Sequence, residues 1–308
     1  MELLYFLEQL RTPLGDTFFS LITNFGGETL FIVAGLFFFW CIDKFEGYYL
    51  LSVGLSGTVI NQFLKLWFRI PRPWVKDPEF TIVESARAEA TGYSFPSGHT
   101  QSSVGMFGAM AKWSKNRLLR VICIALCVLV PLSRMYLGVH TPADVGVSIV
   151  VALSLVFGVY PLIKKGMEEP KIMRMIMAGM LVLAAAYVVF VECYVFPADV
   201  DVHNLESGTK NAYTLLGCIL GLWMTYEIDH RYIQFKTDAV WWAQIIKLVF
   251  GLAILLAIKA GMKAPLYAVC GGHYAADAIR YFMMVAFAGC LWPMTFPFFG
   301  RLGQKKYL

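Results

Sequence analysis

Charge is what this sequence has least of. Asp, Glu, Lys and Arg make up 15% of its 308 residues, against about a quarter in an ordinary soluble domain. Apolar residues make up 58% and the mean hydropathy is +0.62, which excludes a soluble globular fold. The seven cysteines form no CxxC pair and no Cys/His metal spacing; most, such as Cys123, Cys127 and Cys218, sit in apolar runs and read as small buried hydrophobes. No GxxxxGK[ST] loop, fixed-period repeat or low-complexity tract occurs, so P-loop chemistry and repeat arrays are set aside. The first stretch, MELLYFLEQLRTPLGDTFFSLITN, lacks a basic n-region and scatters Glu2, Glu8, Arg11 and Asp16 among its apolar residues. It predicts an interfacial amphipathic helix rather than a cleaved signal peptide.

Long apolar runs are abundant. Stretches of about 17 to 25 residues match the thickness of a bilayer core. They predict nine helices near residues 26–42, 46–68, 97–113, 117–135, 142–163, 172–195, 209–227, 239–258 and 274–299. The fold class is all-α, a polytopic transmembrane helix bundle. Lys and Arg counted by loop set its orientation. The side reached at the end of the first helix holds fourteen: Lys44; Lys112, Lys115, Arg117 and Arg120; Lys164, Lys165, Lys171 and Arg174; Arg231 and Lys236; Arg301, Lys305 and Lys306. The opposite side holds nine, diluted by Asp77, Glu79, Glu84 and Glu89 in its long loop. The first side is therefore cytoplasmic, with the C-terminus inside and the N-terminus outside. The net charge of +5 resides largely in those cytoplasmic loops and calls for no nucleic-acid partner.

The polar residues that composition does not explain cluster on the external side. Helix two ends in NQFLKLWFRIPRPW, where Lys65 and Arg72 lie seven residues apart, about two turns, although Pro71 and Pro73 end the helix there. Alone, this pair reads as snorkelling cations. PSGH, residues 96–99, opens helix three and offers an anion a helix N-terminus, but in isolation it is an ordinary cap, with Ser102 and Ser103 lining a cleft or bonding their own helix. SRMYLGVHTPAD, residues 133–144, joins helices four and five. Thr141 and Pro142 read as cap and first position, which puts Asp144 within a turn of His140. A carboxylate there fixes the imidazole tautomer and leaves the other nitrogen as nucleophile; a structural His–Asp pair is the plainer alternative. What no single plain reading explains is the convergence: three cations, a helix N-terminus, two imidazoles and an acid, the inventory of phosphoryl transfer. No cluster with metal-ligand spacing lies on that side, so the expected chemistry is metal-free and cofactor-free.

These residues carry a resemblance. KLWFRIPRP from Lys65 fits K-x6-R-P, Pro96 to His99 fits P-S-G-H, and Ser133 to Asp144 fits S-R-x5-H-x3-D with Gly138 in place. In that order they resemble the type-2 phosphatidic acid phosphatase superfamily. The resemblance implies that His140 is a nucleophile forming a phosphohistidine, that Asp144 orients it, and that His99 protonates the leaving group. Lys65, Arg72, Ser97, Gly98 and Arg134 would hold the phosphate. It covers a six-helix core, residues 26–196, between an N-terminal interfacial segment, 1–25, and an appended three-helix membrane region, 197–308. The expected activity is removal of phosphate from a lipid phosphate or polyprenyl diphosphate at the external face of what reads as a bacterial inner membrane. The bilayer and its lipids are the partners; the oligomeric state is open. A soluble sugar phosphate as substrate, a phosphotransferase and a lipid transporter are the alternatives. Lys305 and Lys306 near the end read as positive-inside anchors rather than a retrieval signal. Glu192 reads as interfacial, and Asp277 with Arg280 as a structural ion pair.

Overall fold

Each predicted apolar run folds as a helix. The computed structural model describes residues 1–302, among which there is no strand. The helices are α1 (Glu2–Gln9), α2 (Pro13–Thr23), α3 (Glu28–Phe37), α4 (Lys44–Phe68), α5 (Pro73–Lys76), α6 (Gly98–Trp113), α7 (Arg117–Tyr136), α8 (Pro142–Glu168), α9 (Pro170–Cys193), α10 (Val202–Ile228), α11 (Trp241–Gly261), α12 (Lys263–Val269), α13 (Ala275–Ala286) and α14 (Phe296–Arg301). Lys305 and Lys306 lie outside the described residues.

Fewer than nine of these are spans in their own right. Arg117–Tyr136, Pro142–Glu168, Pro170–Cys193, Trp241–Val269 and Ala275–Arg301 are long and apolar enough to cross a bilayer, and Pro13–Gly26 with Glu28–Ile42, bent by 49°, makes a sixth only when the pair is counted as one broken span. The shortfall falls on α4, α6 and α10. In α4 the reason is plain: Glu46, Ser52, Ser56, Asn61 and Lys65 are buried in protein, where their polarity is not presented to lipid.

Two further differences from the sequence reading have local causes. The N-terminal segment is two helices, not one, because Thr12 caps α2 by accepting the Gly15 N–H (3.1 Å) and Pro13 opens it. The last predicted helix breaks after α13 into a π-helical turn, Phe287–Leu291, and a 3-10 turn, Pro293–Thr295, since Pro293 and Pro297 donate no N–H to a continuous helix.

The chain forms two compact units. The first comprises Met1–Ile32, Ser52–Pro161 and Cys193–Gly208. In it α6 runs along α7, and α1 and α2 pack against α7 as well. Leu4 is fully buried, and the Tyr136 hydroxyl at the end of α7 accepts the Thr12 N–H at 3.1 Å. Asn116 caps the start of α7 by accepting the N–H groups of Leu118 and Leu119.

The second unit comprises Val33–Leu51, Leu162–Glu192 and the chain from Thr209 onward. Its core holds Trp40, which is fully buried and donates Nε1–H to the Ala288 carbonyl at 2.8 Å. Three charge clusters tie this unit: Lys44 with Asp229 at 2.6 Å, Glu227 with Arg174 and Arg231 at 2.6 and 3.0 Å, and buried Asp277 with Arg280 and the Tyr267 hydroxyl. The expected Asp277–Arg280 pair is thus present, and Glu192 accepts from the Tyr213 hydroxyl at 3.1 Å.

Candidate active site

The end of α7 sets the first part of the site. Gly138 takes φ +81°, a left-handed conformation that ends the helix and sends Val139 and His140 back to donate their N–H groups to the Arg134 carbonyl, at 3.1 and 3.3 Å. An added Cβ at Gly138 would meet Arg11 Nη2 at 2.7 Å and the Phe80 ring at 3.0 Å, so those side chains would have to shift, while the positive φ is what favours glycine. His140 is thereby folded under the last turn of α7 and is 2% exposed.

The start of α8 fixes Asp144. Thr141 N–H donates to Asp144 Oδ2 (2.7 Å) and Asp144 N–H donates to Thr141 Oγ1 (3.3 Å), a reciprocal cap. Ser94 Oγ–H donates to the same Oδ2 at 2.6 Å. The carboxylate is thus locked with Oδ2 3.5 Å from His140 Nδ1, longer than a normal hydrogen bond.

The other imidazole nitrogen, Nε2, lies 2.8 Å from Arg72 Nη1. A guanidinium only donates, so Nε2 presents its lone pair and the ring proton sits on Nδ1, facing Asp144. Burial, and then the positive charges of Arg72, Arg134 and Lys65, push the His140 pKa well below its usual value. The ring is neutral at physiological pH with its free lone pair on the cation side.

The cations arrive by different routes. Arg72 and Lys65 do not share a helical face, because α4 ends at Phe68 and Arg72 is the N-cap residue of α5. The acid-rich loop between α5 and α6 brings them together instead: Lys65 Nζ donates to the Tyr93 carbonyl (2.5 Å), and Arg72 donates to the carbonyls of Thr91 (2.6 Å), Gly92 (3.0 Å) and Val139 (2.9 Å). Burial lowers the Arg72 pKa to about 10, which leaves it charged at neutral pH. Arg134, 1% exposed, donates Nη1–H to Thr23 Oγ1 at 2.5 Å and keeps Nε without a partner.

α6 completes the arrangement. Ser97 caps it by accepting the Thr100 N–H (3.4 Å) and donates its own N–H to the Asp144 carbonyl (3.1 Å). A cavity of about 240 Å³ opens in front of these groups. Of the eight residues singled out in the sequence, Lys65, Arg72, Gly98, His99, Arg134 and His140 line it, while Ser97 and Asp144 stand behind its wall. His99 Nε2 lies 3.3 Å from Glu89 Oε2.

Sequence reasoning missed several polar groups here. Ser94 holds Asp144, Glu89 meets His99, and Asn61, Gln62 and Gln101 line the cavity. Asn61 lies four residues before Lys65, and that spacing was the available signal. Ser102 lines the cavity, whereas Ser103 bonds back to the Thr100 carbonyl at 3.2 Å.

Among known proteins, the chain is 35% identical over 104 residues to undecaprenyl-diphosphatase BcrC of Bacillus subtilis, covering 34% of this chain and 51% of that protein. It is 29% identical to phosphatidylglycerophosphatase B of the same organism, covering 52% and 78%. To mouse sphingosine-1-phosphate phosphatase 1 it is 29% identical, covering 47% and 34%. The match thus spans about half the length of the first relative. No solved structure matches. The PAP2 superfamily pattern matches residues 45–168, which include every residue of the cation–imidazole cluster, and the transmembrane extension of PAP2 superfamily phosphatases matches residues 213–305. With the domain and its extension both present in order, the chain belongs to the PAP2 superfamily.

Proposed function

We propose that this protein is an integral membrane phosphatase that removes phosphate from a lipid phosphate or polyprenyl diphosphate through a phosphohistidine, without a metal ion. The observation that carries the reading is the orientation of His140, with its lone pair on Nε2 against Arg72 and its Nδ1 toward Asp144, in a cavity that also presents His99, Lys65 and Arg134.

In this reading the substrate phosphate displaces the Arg72–His140 contact and is gripped by Lys65, Arg72 and Arg134. The Nε2 lone pair forms an N–P bond as the ester P–O bond breaks, and His99 gives its proton to the leaving oxygen. Asp144 stabilises the positive charge that develops on the His140 ring. Water then attacks phosphorus, His99 takes its proton, and the N–P bond breaks with its electron pair returning to Nε2. Among the described residues no group of three or more His, Cys, Asp and Glu could hold a metal ion, and charge stabilisation falls to the three cations.

The lipid substrate is supported by the relatives, whose names specify undecaprenyl diphosphate, phosphatidylglycerophosphate and sphingosine 1-phosphate. The excess of Lys and Arg on the opposite loops supports an external active site in a bacterial inner membrane. The test is turnover of purified protein in detergent against lipid phosphates, prenyl diphosphates and glucose 6-phosphate, with EDTA present. Lipid turnover that survives EDTA and stops with vanadate is expected. A strict magnesium requirement, or activity on the sugar phosphate alone, would overturn the proposal.

A further inference from the structure

Two amide side chains at the cavity carry polar atoms without partners. Asn61 is 2% exposed and neither Oδ1 nor Nδ2 has a hydrogen bond; Gln101 is 4% exposed and its Nε2 has none. Both line the cavity that holds Lys65 and His140. A buried polar group without a partner is costly, and such groups in native proteins generally answer to a ligand or a water.

Their position says which part of a ligand they meet. Asn61 lies one turn before Lys65 on α4, and Gln101 nearly one turn after Gly98 on α6, so each sits about 5 Å along its helix from a cavity-lining residue assigned to the phosphate. A methyl group placed on Gly98 would lie 3.9 Å from Asn61 Oδ1, so this oxygen faces the start of α6. The leaving alcohol departs from the face of phosphorus opposite His140 Nε2, where His99 protonates it, and His99 lines the same cavity as the two amides. The amides therefore face what is attached to the phosphate.

Their chemistry says what that is. An ionised phosphoryl group only accepts hydrogen bonds; it could pair with Nδ2 and Nε2 but would leave Asn61 Oδ1 buried and unpaired. A hydroxyl both donates and accepts, and satisfies an amide oxygen and an amide nitrogen together. A second phosphate is disfavoured further because Glu28 lines the same cavity and no cation besides Lys65, Arg72 and Arg134 does. Resting on the phosphatase reading above, we infer that Asn61 and Gln101 are specificity-determining residues that bind a hydroxyl group on the leaving alcohol, close to the ester carbon, so that the preferred substrate is a phosphate monoester of a lipid polyol rather than a diphosphate.

The experiment compares kcat/KM for 1-O-dodecylglycerol 3-phosphate and its 2-deoxy counterpart, on wild type, Asn61→Leu, Asn61→Asp and Gln101→Leu. The ratio between two substrates on one preparation is independent of how much of a variant is folded. Wild type is expected to prefer the hydroxyl-bearing compound by about tenfold or more. Asn61→Leu and Gln101→Leu should bring that ratio to near unity, and Asn61→Asp, which keeps the acceptor, should retain part of it. No preference in wild type, or an equal loss on both substrates in the Leu variants, would overturn the inference and assign the amides to the phosphoryl group or to water. Failure of wild type to hydrolyse either compound while it turns over a prenyl diphosphate would also overturn the inference, whereas failure on all three would strike the phosphatase proposal.

Discussion

The two units of this protein hold their clustered cations in different ways. In the second unit, Lys44 meets Asp229, Arg174 and Arg231 share Glu227, and Arg280 meets Asp277; each cation in these clusters touches a carboxylate. In the first unit, Lys65, Arg72 and Arg134 converge on one cavity with no carboxylate salt bridge among them. Backbone carbonyls and a threonine hydroxyl orient them, and their charge is left over. Pairing within a helix or between neighbours is what stability asks of a charge. Like charges held together by neutral acceptors are what an anion asks.

Substitutions should therefore separate the two units by what they damage. His140→Ala is expected to give the largest effect, a loss of roughly 10⁴-fold or more in kcat with an unaltered melting temperature; measurable burst formation of phosphoenzyme in this variant would refute the nucleophile assignment. Asp144→Asn keeps the shape but weakens the tautomer lock, and should lower kcat by about 10³-fold, measured in detergent on the same substrate. Arg72→Lys cannot reproduce four directed contacts with one ammonium, and a fall of about 10²-fold in kcat/KM is expected.

The pH dependence sharpens the same contrast. The His140 pKa is depressed in the folded protein by burial and the three cations, so the unfolded chain, with a pKa near 6.5, binds the proton more readily. Its contribution to stability is complete above about pH 6.5 and declines as pH falls below that value. For the same reason the acid limb of kcat/KM set by His140 lies below pH 6.5. A limb centred near 7 that moves when His140 is replaced would contradict the buried neutral ring.

The second unit should respond in stability alone. Asp277→Ala leaves Arg280 buried and uncompensated, a penalty of about 3–5 kcal/mol read as a lower melting temperature, while kcat of the folded fraction holds. Arg174→Ala is the smallest case: Glu227 keeps Arg231, so neither melting temperature nor kcat should move measurably.

The sequence by itself determined that the chain is a helical membrane protein and where its helices lie, because apolar runs of bilayer length have few other stable states. It also named the eight residues of the candidate site, since three short motifs carry them. It did not determine how they meet. Lys65 and Arg72 suggested a common helical face, yet it is the carbonyls of Thr91, Gly92 and Tyr93 that align them, and a loop's path is not written in any periodicity. Nor did it show that Ser94 shares Asp144 with Thr141, or that the Asn61 amide and Gln101 Nε2 lack partners. An amide in an apolar helix is an ordinary residue until the neighbouring helices are in place. Only packing decides whether it is satisfied or left facing a cavity, because hydrogen-bond partners are supplied by segments distant in the chain.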